Sequence, residues 1–188
     1  MRDRIKELLL ESIQVKEDLL HTQVDSIIEI TNTIIECLKK GGKVILFGNG
    51  GSASDSQHIA AEFVGKFKKD RNAFAAVALT TNSSILTSLA NDYGYEVVFS
   101  KQIEALGQKN DIAIGISTSG RAKNVALAIK QAQKMGIKTV ALTGGDGGEL
   151  VKLADISLMV PSKITARIQE AHITIGHIIC ELVEQALS

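Results

Sequence analysis

A histidine and a glutamate four residues apart, His58 and Glu62, have the types and spacing needed for chemistry. Residues four apart share one face of an α-helix. An imidazole and a carboxylate on one face can supply two metal ligands or an acid and a base. Solvated surface groups are the alternative interpretation. A glycine-rich loop precedes this predicted helix at Gly48–Ser52, which favours a functional pair bordering the same crevice.

A second polar group interrupts the apolar helix predicted from about Ile164 to Ala186. His177 lies among isoleucines, so it is either part of a site or a core histidine bonded to backbone. Gln169 lies eight residues earlier, about 12 Å along a regular helix and about 80° around it. Both side chains can reach one centre if they lean toward each other, if the helix is irregular near Gln169, or if two subunits each contribute one of them. These alternatives stay open. Arg167, Glu170 and His172 complete the group.

Three loops rich in glycine or hydroxyl groups follow predicted strands, at Gly48–Ser52, Ser117–Gly120 and Thr143–Gly148. Glycine lets backbone approach an anion closely, and a following helix directs free N–H groups at it. The loops lack G-x-G-x-x-G with a downstream acid, and no G-x-x-x-x-G-K-[ST] occurs. A phosphomonoester therefore fits these loops better than a nucleotide.

The elements between these loops predict an α/β fold. Short runs of aliphatic residues are typical of strands buried on both faces. Helical stretches alternate with them, at about 53–66, 83–107 with a break near Asn91 to Gly94, 122–135 and 149–154. Alternation of this kind predicts a three-layer α/β/α sandwich with a five-stranded parallel sheet. The predicted strands are Val44–Phe47, Ala75–Leu79, Ile112–Ile116, Thr139–Leu142 and Ile156–Val160.

The composition limits the class of protein. The chain of 188 residues suits one domain, with 45% apolar residues for a core. The 21 basic and 21 acidic residues balance, which argues against a nucleic-acid partner. No apolar run is long enough for a membrane span, and residues 1–7 do not resemble a signal peptide. Cys37 and Cys180 are predicted to be buried free thiols rather than a disulfide.

The helices at both ends of the chain predict an oligomer. Residues 1–40 read as two extra helices, ended by Gly41 and Gly42. The C-terminal helix is apolar over more than one face, and a monomer would leave such a face exposed. Burial of the helix inside one subunit is the alternative.

Several motifs, in order and at matching spacing over nearly the whole chain, resemble the sugar-isomerase (SIS) domain of phosphoheptose isomerases. They are Gly48-Asn49-Gly50-Gly51-Ser52, Asp55-Ser56-Gln57-His58 with Glu62, Asn91-Asp92-Tyr93-Gly94, Gly115 to Gly120, and Ala166-Arg167-Ile168-Gln169-Glu170 with His172 and His177.

The resemblance implies a flavodoxin-like SIS fold in a cytoplasmic homotetramer with active sites at subunit interfaces and one zinc per subunit. It implies conversion of sedoheptulose 7-phosphate to D-glycero-D-manno-heptose 7-phosphate, the first step toward activated heptose for surface polysaccharides such as lipopolysaccharide. The implied zinc ligands are His58, Glu62, Gln169 and His177, with Glu62 as general base and His177 as general acid. The implied substrate contacts are Asn49, Gly50, Gly51, Ser52, Glu62, Asn91, Asp92, Ser117, Thr118, Ser119 and Gln169.

Two details qualify that implication. The family commonly has a serine where this chain has Ala122, so one phosphate hydroxyl is missing unless Arg121 or Lys123 offsets it. A zinc-bound carboxylate is also a weaker base, so Glu62 either exchanges between the ligand and base roles or serves beside a mainly structural metal.

An aldose–ketose isomerisation through an enediol needs a base for carbon, an acid for oxygen and stabilisation of the enediolate. The alternative function is a non-catalytic SIS-domain regulator that binds the replication initiator or senses a phosphosugar. Relatives of the first kind typically lack the equivalents of Glu62 and His177, both present here. Sensors of the second kind usually carry a DNA-binding domain, for which this chain has no room.

Overall fold

The computed structural model describes residues 1–188 as a parallel sheet covered by helices on both faces. The sheet order is β2-β1-β3-β4-β5, with every neighbouring pair parallel. This is the flavodoxin-like order, in which the order of strands along the sheet reverses between β1 and β3. The strands are β1 (Val44–Gly48), β2 (Ala76–Ala78), β3 (Ile112–Ile116), β4 (Lys138–Gly144) and β5 (Ile156–Val160). The predicted sheet is confirmed, with β2 shorter and β4 longer than expected.

The helices alternate with the strands as predicted, with ends shifted by a few residues. The expected break in the stretch 83–107 is present, because a 3₁₀ turn at Tyr95–Val97 separates two helices. The helices are α1 (Arg2–Thr22), α2 (Val24–Lys39), α3 (Gly51–Val64), α4 (Ser83–Tyr93), α5 (Ser100–Leu106), α6 (Lys123–Lys134), α7 (Leu150–Leu153) and α8 (Thr165–Leu187). None of them combines the length and the apolar character needed to cross a membrane.

Two apolar cores lie on opposite faces of the sheet. Alternate residues of each strand point to opposite faces, so Val44 and Leu46 enter one core while Ile45 and Phe47 enter the other. Helices α1, α2, α3 and α8 cover the first core, and α5, α6 and α7 cover the second. Burial on both faces explains why the strands read as continuous apolar runs.

Helix α8 is covered mainly within its own chain. It packs against α1, α2, α3 and the strands β4 and β5. Its apolar side chains from Ile168 to Val183 are mostly buried, while Ile178 and Leu182 stay 40% and 38% exposed. Most of the apolar side chains of α8 are therefore buried inside one subunit, which is the alternative given above. The larger exposed apolar surface lies on α1, where Ile5, Leu9, Leu10, Ile13 and Leu20 face solvent.

Candidate functional site

The first glycine loop joins β1 to α3 at the point where the sheet order reverses. Gly50 adopts φ +56°, a left-handed conformation that favours glycine. Two amide side chains tie this loop to the start of α6: Asn49 Nδ2 donates to Asn124 Oδ1 at 2.9 Å, and Asn124 Nδ2 donates back to Asn49 Oδ1 at 2.8 Å. The Tyr95 hydroxyl also donates to Asn49 Oδ1, at 3.3 Å. The loop is thus held in place before any ligand binds.

The second and third loops pack against each other. A Cβ at Gly120 would strike the backbone of Gly147, and one at Gly148 would strike Gly120. Between the loops and the start of α8 lies an open cavity of about 380 Å³. Its lining is largely polar: Thr118, Ser119, Arg121, Gly144, Gly145, Asp146, Lys163, Thr165 and Ile168.

Charge in this cavity comes from two basic side chains and one acid. Arg121 Nη2 lies 2.5 Å from Asp146 Oδ2, so the guanidinium is already paired. Lys163 is exposed and has no carboxylate within 4 Å. Hydroxyls, backbone N–H groups and a free ammonium suit a phosphate dianion. Lys163 lay outside the sequence prediction because its place at the cavity depends on how α8 begins.

His58, Glu62 and His177 of one chain lie together, with one ligand atom from each within 4.8 Å of the others. His58 Nε2 is 3.1 Å from Glu62 Oε1 and 3.4 Å from His177 Nε2. The two imidazoles meet edge to face with ring centroids 4.9 Å apart. Helix α3 supplies the first two residues and α8 the third. His58 is seven residues into α3, so the cluster lies about 10 Å from the glycine loop rather than on the first turns.

These three residues fit a metal ion. Two ligands on a tetrahedral zinc, each 2.0–2.1 Å from it, lie about 3.3 Å apart. The separations of 3.1 and 3.4 Å around His58 Nε2 match that value. Two imidazole nitrogens and one carboxylate oxygen are also the donor set of many zinc enzymes. His58, Glu62 and His177 could therefore hold zinc.

Gln169 lies at the other end of the contact between α8 and α3. A Cβ at Gly51 would strike the Gln169 amide, so this amide rests directly on the first turn of α3. The contacts between α3 and α8 thus pair Gly51 with Gln169 and His58 with His177. Gln169 and His177 are eight residues apart on α8, and the residues that they contact, Gly51 and His58, are seven residues apart on α3. The two contacts are therefore separated by a similar distance along both helices.

His172 is a core residue. It is fully buried, and its Nε2 lies 3.0 Å from the Thr143 carbonyl oxygen. Burial lowers the pKa of His172 to about 4, with the bond to Thr143 acting in the opposite direction. The ring is thus neutral at pH 7 and donates to the carbonyl. Its Nδ1 has no partner.

Arg167 and Glu170 hold α1 rather than a ligand. Arg167 Nη1 donates to the Leu8 carbonyl at 2.8 Å, and the Ser12 hydroxyl donates to Glu170 Oε2 at 2.8 Å. Arg167 Nη2 and Glu170 Oε1 also pair with each other at 3.1 Å.

The other predicted contact residues lie on several elements: Ser52 in α3, Asn91 and Asp92 in α4, and Ser117 after β3. Ser52 and Ser117 are buried, and Asn91 and Asp92 are exposed near the end of α4. Asn91 Nδ2 donates to Asp92 Oδ1 at 2.8 Å. Asp55, quoted only as part of a motif, has a buried Oδ2 without a partner. Burial raises its pKa to about 6, and nearby His58 lowers it in part.

Sequence reasoning missed a buried ion pair beside the cluster. Glu184 of α8 accepts from the backbone N–H of Phe67, Lys68 and Lys69 and from Arg71 Nε, at 2.8 to 3.0 Å. Burial opposes ionisation of this carboxyl, but the four donors prevail and lower its pKa to about 2. The sequence signal for this ion pair is the charged residue Glu184 within the apolar run of α8.

Comparison with known proteins shows the family of this chain. The SIS domain profile matches residues 9–144. The chain is 50% identical over 185 residues to the phosphoheptose isomerase of Aquifex aeolicus, covering 98% of this chain and 97% of that one. It is 51% identical to the phosphoheptose isomerase of Clostridium acetobutylicum, covering 100% and 96%. The chain belongs to the SIS-domain family of phosphoheptose isomerases.

Solved structures agree with this assignment. The phosphoheptose isomerase GmhA from Neisseria gonorrhoeae superposes with a TM-score of 0.93 at 42% identity, covering 98% of each chain. A phosphoheptose isomerase from Francisella tularensis gives a TM-score of 0.94 at 36% identity, covering 97% of each chain. The resemblance and the fold expected from the motifs are thereby confirmed for this SIS-domain chain.

Proposed function

We propose that this protein isomerises sedoheptulose 7-phosphate to D-glycero-D-manno-heptose 7-phosphate, the first step toward activated heptose for surface polysaccharides such as lipopolysaccharide. Relatives about 50% identical over nearly the full chain carry the name phosphoheptose isomerase. The observation that carries the chemistry is the contact of His58, Glu62 and His177.

The phosphate end of the substrate is assigned to the polar cavity. Thr118, Ser119 and the backbone of Gly144 and Gly145 line it, and Lys163 adds a positive charge. This ammonium offsets the hydroxyl that Ala122 lacks, since Arg121 is already paired with Asp146. The first loop, Asn49, Gly50, Gly51 and Ser52, and the residues Asn91, Asp92, Ser117 and Gln169 are assigned to the sugar.

The proton transfers are assigned to two side chains. Glu62 takes the proton from the carbon beside the carbonyl and returns it to the neighbouring carbon. His177 moves the proton between the two oxygens, so that the enediol forms and collapses without free charge. The contact of both residues with His58 holds them in one orientation relative to each other.

A zinc ion, one per subunit, is part of the proposal. His58, Glu62 and His177 of one chain would hold it, and Gln169 would be the fourth ligand from another subunit, because Gln169 of the same chain rests on Gly51 at the other end of the α3–α8 contact. A bound zinc supplies a Lewis acid that polarises the carbonyl and stabilises the developing enediolate.

The proposed assembly is a cytoplasmic homotetramer with active sites at subunit interfaces. His58 is exposed on the outer surface shared by α3 and α8, and the apolar residues of α1 face solvent, which supports contacts with further subunits. The names of the relatives reported above favour catalysis over the regulatory alternative.

Turnover tests this proposal. The protein is incubated with sedoheptulose 7-phosphate, and the aldose product is followed before chelation, after chelation and after return of zinc. We expect zinc-dependent product, and a loss of at least about a hundredfold in Glu62→Gln, in line with the usual contribution of a general base. Product formation by a folded Glu62→Gln variant at the wild-type rate would remove Glu62 from the base role. A protein that binds the sugar phosphate without turning it over would instead favour the regulatory function.

A further inference from the structure

The segment after α3, residues 65–75, has no regular secondary structure and lies beside the His58–Glu62–His177 cluster. Glu184 holds it from α8, because its carboxylate accepts the consecutive N–H groups of Phe67, Lys68 and Lys69. Hydrogen bonds from successive backbone N–H groups to an ionised carboxylate are strong, and here they fix the path of the segment.

Arg71 completes this anchor and connects it to α3. Its Nε donates to Glu184 Oε1 at 3.0 Å, and both side chains are at most 4% exposed. Its Nη2 donates to the carbonyl oxygen of Glu62 at 2.9 Å, and its Nη1 donates to that of Phe63 at 3.0 Å. These carbonyls belong to the last turn of α3, where helical partners are missing. The guanidinium therefore caps the turn that carries Glu62.

Phe67 connects the same segment to α8. Its ring centroid lies 5.5 Å from that of His177, and the ring centroid of His58 lies 4.9 Å from that of His177. The ring of His177 therefore contacts both Phe67 and His58. Glu184 is seven residues after His177, two turns along α8, so the anchor and the imidazole share one helix face.

We propose that the Arg71–Glu184 ion pair and Phe67 are positioning residues that fix Glu62 and His177 for metal binding and proton transfer. The ion pair sets the backbone of Glu62 and the path of the segment, and the segment sets the ring of His177 through Phe67. This inference rests on the metal site and the reaction proposed above. Replacing a residue that contacts a metal ligand without binding the metal itself typically lowers metal affinity or activity by about 10- to 100-fold.

Phe67→Ala is the decisive variant, because it leaves the buried ion pair and its backbone bonds in place. Zinc affinity is measured by competition with a chromogenic chelator, and kcat and KM are measured with sedoheptulose 7-phosphate. We expect zinc affinity and kcat each to fall about tenfold. KM should stay near the wild-type value, because the proposed phosphate contacts lie on other loops. Phe67→Tyr keeps a ring against His177 and should restore both quantities.

The matched control is Lys69→Ala, which removes an exposed side chain from the same segment and keeps the N–H that bonds Glu184. It should leave zinc affinity and kcat unchanged. Glu184→Gln tests the anchor itself: it should weaken zinc binding in the folded fraction, determined by circular dichroism. If Glu184→Gln does not fold, the Phe67 variants decide alone.

The outcomes separate this inference from the proposed reaction. A folded Phe67→Ala protein with wild-type zinc affinity and kcat would overturn the positioning role, and so would a wild-type protein that binds no zinc. A wild-type protein that binds zinc but does not isomerise the sugar, combined with weaker zinc binding in Phe67→Ala, would keep the positioning role and reject the reaction.

Discussion

Arg167, Ile168, Gln169 and Glu170 are consecutive in one helix, and the helical twist of about 100° per residue sends their side chains in different directions. Arg167 and Glu170 bind α1, Ile168 packs on Gly144, and the Gln169 amide rests on Gly51. A single motif therefore serves three separate contacts. The motif alone does not predict which residue makes which contact, because each contact depends on the element that lies opposite.

Stability below neutral pH should depend on His172. In the folded protein burial lowers its pKa to about 4, while an unfolded histidine has a pKa of about 6.5. Between these pH values His172 is protonated in the unfolded chain but neutral in the folded protein. The free energy of unfolding therefore decreases as pH falls from about 6.5 towards 4. The loss is at most about 1.4 kcal/mol per pH unit for one proton.

The measurement is urea unfolding at pH 7, 5.5 and 4.5. His172→Gln should be less stable than wild type at pH 7, because it disturbs the buried bond to Thr143. Its stability should then decline less steeply between pH 6.5 and 4.5. His21→Gln, which removes an exposed histidine of α1, is the control and should follow the wild-type curve. Equal slopes for wild type and His172→Gln would contradict this assignment.

At the scale of elements, the packing of α8 against the carboxyl end of β4 depends on the absence of a side chain at Gly144. A Cβ there would strike three atoms of Ile168, which is only 3% exposed. Gly144→Ala should therefore lower the free energy of unfolding by about 1–3 kcal/mol, the usual cost of overpacking. Urea unfolding followed by circular dichroism measures the change.

A second substitution separates overpacking from a backbone effect at Gly144. Ile168→Val removes one methyl group from the clash, so the double variant should regain part of the lost stability, and the two changes should be non-additive. Additive losses in the double variant would show that Ile168 is not the obstacle.

The sequence predicted the helices and strands well, because buried strands and amphipathic helices have distinct patterns. It did not predict the register between α3 and α8, which depends on tertiary packing. That register brings His177 to His58 and Gln169 to Gly51, contacts that spacing on one helix left undecided. The sequence does not show that several elements of the same chain cover α8, so its apolar residues alone also predict contact with another subunit.

At the scale of the whole molecule, the parallel sheet explains which parts of the site were predictable. Loops at the carboxyl ends of parallel strands converge on one edge, so Ser117–Gly120 and Thr143–Gly148 were expected near each other. The basic residue Lys163 and the pair Arg71–Glu184 were not, because they lie on segments whose course is set by long-range contacts. The sequence therefore predicts the chemical groups of the candidate site but not the residues that support them.

The exposed apolar face of α1 predicts how copies of the chain associate. Ile5, Leu9, Ile13 and Leu20 are each at least half exposed and lie on one side of the helix. Leu9→Glu combined with Ile13→Lys makes this face polar without changing the net charge, and a glutamate four residues before a lysine favours the helix. By light scattering after gel filtration, the wild type should have four times the mass of one chain, and the variant a smaller mass with unchanged helix content.

The conservative pair Leu9→Met with Ile13→Leu is the control, because it keeps the face apolar and should keep the assembly. If the polar variant remains a tetramer, α1 does not form the contact. Loss of the assembly should also lower turnover if the active site is shared between subunits, while zinc binding by His58, Glu62 and His177 of one chain should weaken less. A tetramer that dissociates with full turnover would place the whole active site within one chain.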